Sequence, residues 1–328
     1  MKDNAAYGRV GLGTKPARIS RVDPRVRVDL DHLRSLEGRA RALRFLPRQP
    51  ARSVLNGRHA SRLRGRGLNF EELCDYLPGD DTRTIDWKVT ARTGKPHVRV
   101  YTEERDKPSL IVVDQRLTMF FGSKLNMKSV TAAETAALIA FRIADQGDRV
   151  GGIVFGDDHI AEFRPKRSRR ALDRLLSAVA HANQSLSADM PSGEGLPLNR
   201  PLSSITRIAR RNHLIIIISD FAGIDEQTRK HLSTLARHND LVLCVVSDPI
   251  ATDLPDNIRL TISDGSLQAQ IDTGTTSVRT ALADMSRGRL AEILNWQNEI
   301  GMPVLPLSAG EETLPQIRSL MGLGRARH

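Results

Sequence analysis

HLIIIISDF at residues 213–221 decides the fold. Leu214 to Ile218 form an unbroken aliphatic run with no polar alternation, so the strand they build must be covered on both faces. The run ends in Ser219-Asp220, and its plan recurs along the chain. SLIVVD (109–114), RVGGIVFGD (149–157) and LVLCVVSD (241–248) are also apolar and also finish in aspartate. Helical spacing follows each strand: 128–147, closed by Gly147, then 168–182, 225–239 and about 276–300. HIAEFRP and PVLPLS add extended pieces, TISDGSLQAQID carries an Asp264-Gly265 hairpin turn, and a last helix falls near 313–322. The Ser/Gly/Pro-rich stretch 184–200 reads as a surface loop. Buried strands that alternate with helices predict a doubly wound, mainly parallel α/β domain over residues 108–328.

Upstream the pattern changes. From Asp29 to Phe45 the residues Leu30, Leu33, Leu36, Ala40 and Leu43 recur at helical steps, which predicts one amphipathic helix inside a basic arm, residues 1–50. Residues 51–107 form a small turn- and β-rich subdomain that includes HVRVYTEE.

The formal net charge of +11 is confined to one end. Residues 1–66 hold 17 Lys/Arg against 5 Asp/Glu, a balance of +12, and leave the remainder at −1. Such a segment neutralises nucleic-acid phosphate, an anionic surface or an acidic protein equally well. Its aromatics are Tyr7 and Phe45, a thin supply for base stacking. No apolar run approaches the roughly 18 residues that a membrane span needs, and the N-terminus lacks the apolar core of a secretion signal. Two cysteines, Cys74 and Cys244, make no disulfide framework and no zinc spacing. The expected location is the cytoplasm.

In doubly wound sheets, sites form beyond the carboxyl ends of the strands where strand order reverses. Asp114 and Asp220 stand at such ends, and on adjacent strands their carboxylates would share one crevice. Thr118 and Ser219 could add hydroxyls, so Mg²⁺ is the conceivable ligand. The competing reading is that strand-end aspartates merely cap turns and helices. No phosphate-binding glycine loop, nucleophile elbow or zinc-protease helix is present in the sequence.

Residues 65–115 carry a longer signature. Tyr76-x-Pro78-Gly79-Asp80-Asp81-x-Arg83-x-Ile85-Asp86-Trp87, followed by Ala91-Arg92, closely resembles the bacterial domain-of-unknown-function family fifty-eight. Phe121-Gly122, residues 147–151 and Ser219-Asp220 extend the likeness over roughly 55–325. The resemblance implies a von Willebrand factor A-like fold and partnership with a MoxR-type AAA+ ATPase and a client protein. It also implies a metal-ion-dependent adhesion site of the form DxSxS, which maps here to Asp114-Gln115-Arg116-Leu117-Thr118. Arg116 stands where the first serine belongs. A guanidinium ligates no cation, and turned inward it would pair with Asp114 or Asp220 and fill the site. Mg²⁺ binding is therefore doubtful, and no other cofactor is expected.

The turn motif leaves two readings. It is either a partner-binding or catalytic patch, or a clasp in which Asp80 or Asp86 accepts from Arg83 or Arg92 and Trp87 seats the turn on the α/β domain. Three functions follow. The first is a non-enzymatic protein-binding adaptor with a degenerate adhesion site. The others are a nucleic-acid-associated protein acting through residues 1–66, and a metal-dependent hydrolase using Asp114 and Asp220.

Overall fold

The computed structural model describes residues 23–43, 68–76, 82–103, 107–187, 195–249, 259–263, 268–272 and 276–320. The described residues open with two short helices, α1 (Leu30–Ser35) and α2 (Glu37–Ala40). An antiparallel pair follows, β1 (Leu68–Asp75) and β2 (His97–Glu103), with helix α3 (Trp87–Thr93) between them. The α/β layers are then β3 (Ser109–Asp114), α4 (Lys128–Asp145), β4 (Val150–Phe155), β5 (Ile160–Lys166), α5 (Arg169–Ser185), α6 (Asn199–Ile208), β6 (Leu214–Ser219), α7 (Glu226–Ala236) and β7 (Asp240–Ser247). A second hairpin, β8 (Arg259–Ser263) and β9 (Gln268–Asp272), precedes α8 (Thr276–Ile300), β10 (Val304–Ser308) and α9 (Thr313–Arg318).

Six strands form one sheet in the order β10-β7-β6-β3-β4-β5, all parallel except the edge strand β5. Successive residues of each central strand enter opposite cores. Ile111, Val113, Ile216 and Ile218 join the α4–α5 side, while Leu110, Val112, Ile215 and Ile217 join the side of α6 and α7. This double burial is why the strands carry no polar alternation. At β4 the packing is close enough to require glycine. A Cβ on Gly151 would lie 2.4 Å from the Phe163 carbonyl oxygen, and one on Gly152 would lie 2.6 Å from that of Ile111.

Two stretches differ from the sequence expectation. The amphipathic segment is a pair of short helices, and it belongs to the main core. Val28, Leu33, Leu36, Ala40 and Leu43 are buried in the same cluster as α4 and α5. The expected loop 184–200 gives way at its end to α6, which continues to Ile208 and buries Leu202 and Ile205. Pro201 belongs to this helix. It sits in the first turn, where its missing N–H costs no helical hydrogen bond. The Asp264-Gly265 turn and most of the arginine-rich segment 1–66 lie outside the described residues.

Candidate functional site at the carboxyl ends of the strands

The chain runs from β3 to β4 on one side and later returns to β6 on the other, so strand order reverses between β3 and β6. Asp114 ends β3, and Asp220 directly follows β6. Both carboxylates are buried, and the register that pairs Val113 with Ile218 brings them to one crevice.

Arg116 lies between them. Its Nε donates to both oxygens of Asp114 at 3.1 Å, and its Nη2 donates to Asp114 Oδ2 at 2.8 Å. Asp220 Oδ1 stands 3.9 Å from the same nitrogen. Ser219 Oγ donates to Asp114 Oδ2 at 2.6 Å and accepts from the Phe221 N–H at 2.8 Å. That last bond helps hold Phe221 at a left-handed φ of 53°, in the tight turn leaving β6. The guanidinium also lies over the Phe155 ring, 5.6 Å from its centroid.

A second cation was not legible beforehand. Lys128, the first residue of α4, donates from Nζ to Asp220 Oδ2 at 2.7 Å. Asp220 Oδ1 accepts the Ala222 N–H at 3.0 Å. Two carboxylates and two cations thus neutralise one another inside the crevice. Burial pushes the Asp114 carboxyl above its ordinary value against the pull of Arg116 and Ser219. Burial opposes ionisation of Asp220 as well, yet Lys128, the Ala222 N–H and Arg116 together hold its carboxyl below the usual range. Desolvation would weaken the guanidinium's hold on its proton, but the Asp114 charge outweighs it and raises Arg116.

The divalent cation implied by the family resemblance does not fit these residues. Both oxygens of Asp114 already accept from the guanidinium, one of Asp220 accepts from an ammonium, and two positive charges stand where an ion would sit. Thr118, offered as a further ligand, is exposed in the turn Leu117–Met119 and makes no hydrogen bond to either carboxylate. Among the described residues no group of three or more His, Cys, Asp or Glu side chains is placed to hold a metal ion.

Arg116 instead ties three loops. Besides Asp114 it donates to the Ala222 carbonyl at 3.2 Å and the Leu196 carbonyl at 3.4 Å. The remaining strand-end aspartates do similar work. Asp157 accepts the Leu117 N–H at 2.6 Å, and Asp248 accepts the N–H and hydroxyl of Ser123. Met119 is buried, Phe120 and Phe121 are half-buried, and Phe120 lies beneath the Arg27 guanidinium. Cys244 offers no nucleophile, because its thiol is buried and pushed up to about 12.

In the turn motif, Tyr76 is half-buried and donates its N–H to the Pro96 carbonyl. Asp86 caps α3, accepting from the Lys88 and Val89 N–H groups at 3.0 and 3.2 Å. Arg83 and Arg92 are exposed. Trp87 corrects the clasp reading: its side chain is not seated in an interface but is 68% exposed. Pro78, Gly79, Asp80 and Asp81 lie outside the described residues.

The doubly wound α/β fold hosts many unrelated activities, so the ionic crevice at the switch point, and not the fold, must carry a functional argument. The chain itself belongs to the family described as protein of unknown function DUF58, whose model matches residues 72–291. The uncharacterized protein Rv1480 of Mycobacterium tuberculosis is 29% identical over 296 residues, covering 89% of this chain and 90% of its own. The uncharacterized protein Mb1516 of Mycobacterium bovis matches with the same identity and coverage. Among solved structures, the conserved hypothetical protein BatB of Bacteroides thetaiotaomicron aligns with a TM-score of 0.38 and 14% identity, over 66% of this chain and 100% of that one. The RO (RSR) protein of Deinococcus radiodurans aligns with a TM-score of 0.28 and 15% identity, over 55% and 35%. No helix of the described residues is long and apolar enough to cross a membrane.

Proposed function

We propose that the chain is a non-enzymatic protein-binding adaptor of von Willebrand A-like design, acting in the cytoplasm with an AAA+ ATPase of MoxR type and a client protein. One observation carries this reading: Arg116 closes the crevice and binds backbone carbonyls on two neighbouring loops. The charges at the switch point then serve to fix the shape of the crest rather than to polarise a substrate. The crest's outer surface, around exposed Thr118 and half-buried Phe120 and Phe121, supplies the contact. Hydrolysis through Asp114 and Asp220 would need a divalent ion that these residues do not fit. Nucleic-acid association through residues 1–66, most of which lie outside the described residues, is the alternative that the nuclease in the test below addresses.

The test is capture of partners by the tagged chain from native lysate with nuclease present, read by mass spectrometry. An AAA+ ATPase is expected with wild type and lost with Thr118→Arg, a substitution at an exposed position. An ATPase retained by that variant and by Asp114→Ala/Asp220→Ala overturns the reading, as does its absence from the wild-type capture.

A further inference from the structure

Trp87 is the most exposed large apolar side chain among the described residues. An indole left in water forgoes roughly 25 cal/mol per Å² of burial, so its place on the surface calls for an occupant. It opens α3, whose two faces differ. Val89 and Thr90 are half-buried, with Thr90 Oγ1 accepting the His97 N–H of β2 at 3.2 Å. Trp87, Lys88, Ala91 and Arg92 are exposed and fall within one arc of the helix at its 100° step. Lys95, just past the helix and also exposed, extends the row. Between residues 82 and 97 the single carboxylate is Asp86, which is 8% exposed and turned to the helix N–H groups. Among the described residues the helix face thus combines one indole with cations and adds no accessible carboxylate, while Asp75, exposed at the end of β1, is paired with His97 at 3.1 Å.

We propose that this face of α3 is an interaction surface for an acidic segment of a partner protein. An apolar side chain of that segment lies on the Trp87 ring, and its carboxylates pair with Lys88 and Arg92. A protein fits better than a nucleic acid, because single strands are held by successive bases stacking on several aromatic rings and this face has one. A lone Trp flanked by Arg is instead the composition of a protein-interface hot spot. The inference rests on the reading of the chain as a protein-binding adaptor and adds a second surface, separate in sequence from the crest.

The experiment uses the full chain and a fluorescein-labelled peptide of alternating glutamate and leucine, followed by anisotropy, with single-stranded oligothymidine as competitor. Wild type is expected to bind the peptide, and W87A and K88E/R92E each to weaken it by about tenfold or more. Binding should fall with added salt, and oligothymidine should not compete. Trp296 is buried, so quenching reports on Trp87. Iodide should quench it more strongly than caesium, and K88E/R92E should reverse that preference. Failure of wild type to bind the peptide, equal binding by the variants, or selective uptake of oligothymidine overturns the proposal. Undiminished ATPase capture by W87A would leave the adaptor reading standing, whereas loss of capture in Thr118→Arg speaks only to the crest.

Discussion

Replacing Arg116 by alanine would strip two buried carboxylates of a shared counter-charge and release the Leu196 and Ala222 carbonyls. Breaking a buried pair by removing one partner costs about 3–5 kcal/mol, because the charge left behind is uncompensated. Urea denaturation of Arg116→Ala should show a loss of that order. Thr118→Arg, on exposed surface, should stay within about 0.5 kcal/mol of wild type. Equal stability of Arg116→Ala and wild type would mean that the cluster does not hold the crest. At this scale the sequence was partly legible. Asp114 and Asp220 declared themselves by ending aliphatic runs, and Arg116 by standing where a serine ligand belongs. Lys128 did not, because a lysine opening a helix fourteen positions beyond Asp114 has no spacing rule to single it out. Its role depends on the return of the 115–127 loop. Trp87 was misread because an indole beside an arginine-rich turn suits a buried anchor and an exposed one equally.

Among elements, the N-terminal helices are the part whose placement the periodicity left open. Apolar spacing predicted helix over 29–45, and the burial of Leu33, Leu36, Ala40 and Leu43 shows where that face goes. Polar contacts fix the register. The Val28 N–H donates to Asn183 Oδ1 at 2.7 Å, and Asn183 Nδ2 donates to Gln115 Oε1 at 3.0 Å, linking the segment to the residue beside Asp114. Further along, His32 Nε2 meets Glu134 Oε1 of α4 at 2.7 Å, and Thr313 Oγ1 of α9 donates to Glu134 Oε2. Glu134 raises the His32 pKa above its ordinary 6.5, against partial burial and Arg39 and with help from Asp29. A raised folded-state value stabilises fully below the unfolded pKa and is lost as pH rises through the folded one. The difference in Tm between wild type and His32→Gln should therefore be widest below the ordinary 6.5 and shrink as pH rises from there into the alkaline range. A gap that is flat across that range, in thermal scans followed by circular dichroism, would count against the clamp.

For the whole molecule, the parallel layers were readable because double burial abolishes alternation, and that pattern survives in single strands such as HLIIIISDF. The order β10-β7-β6-β3-β4-β5 was not, since pairing depends on contacts between segments far apart in sequence. Yet that order alone gives the strand-end aspartates a common crevice. The crevice is closed to metal by its own cations. Titration of Mn²⁺ into wild type and into Arg116→Ser/Lys128→Ala, with free ion read by electron paramagnetic resonance, tests it most directly. Wild type should show no stoichiometric binding at millimolar metal, and the double variant should bind one ion. Binding by wild type that Asp220→Asn abolishes would contradict it.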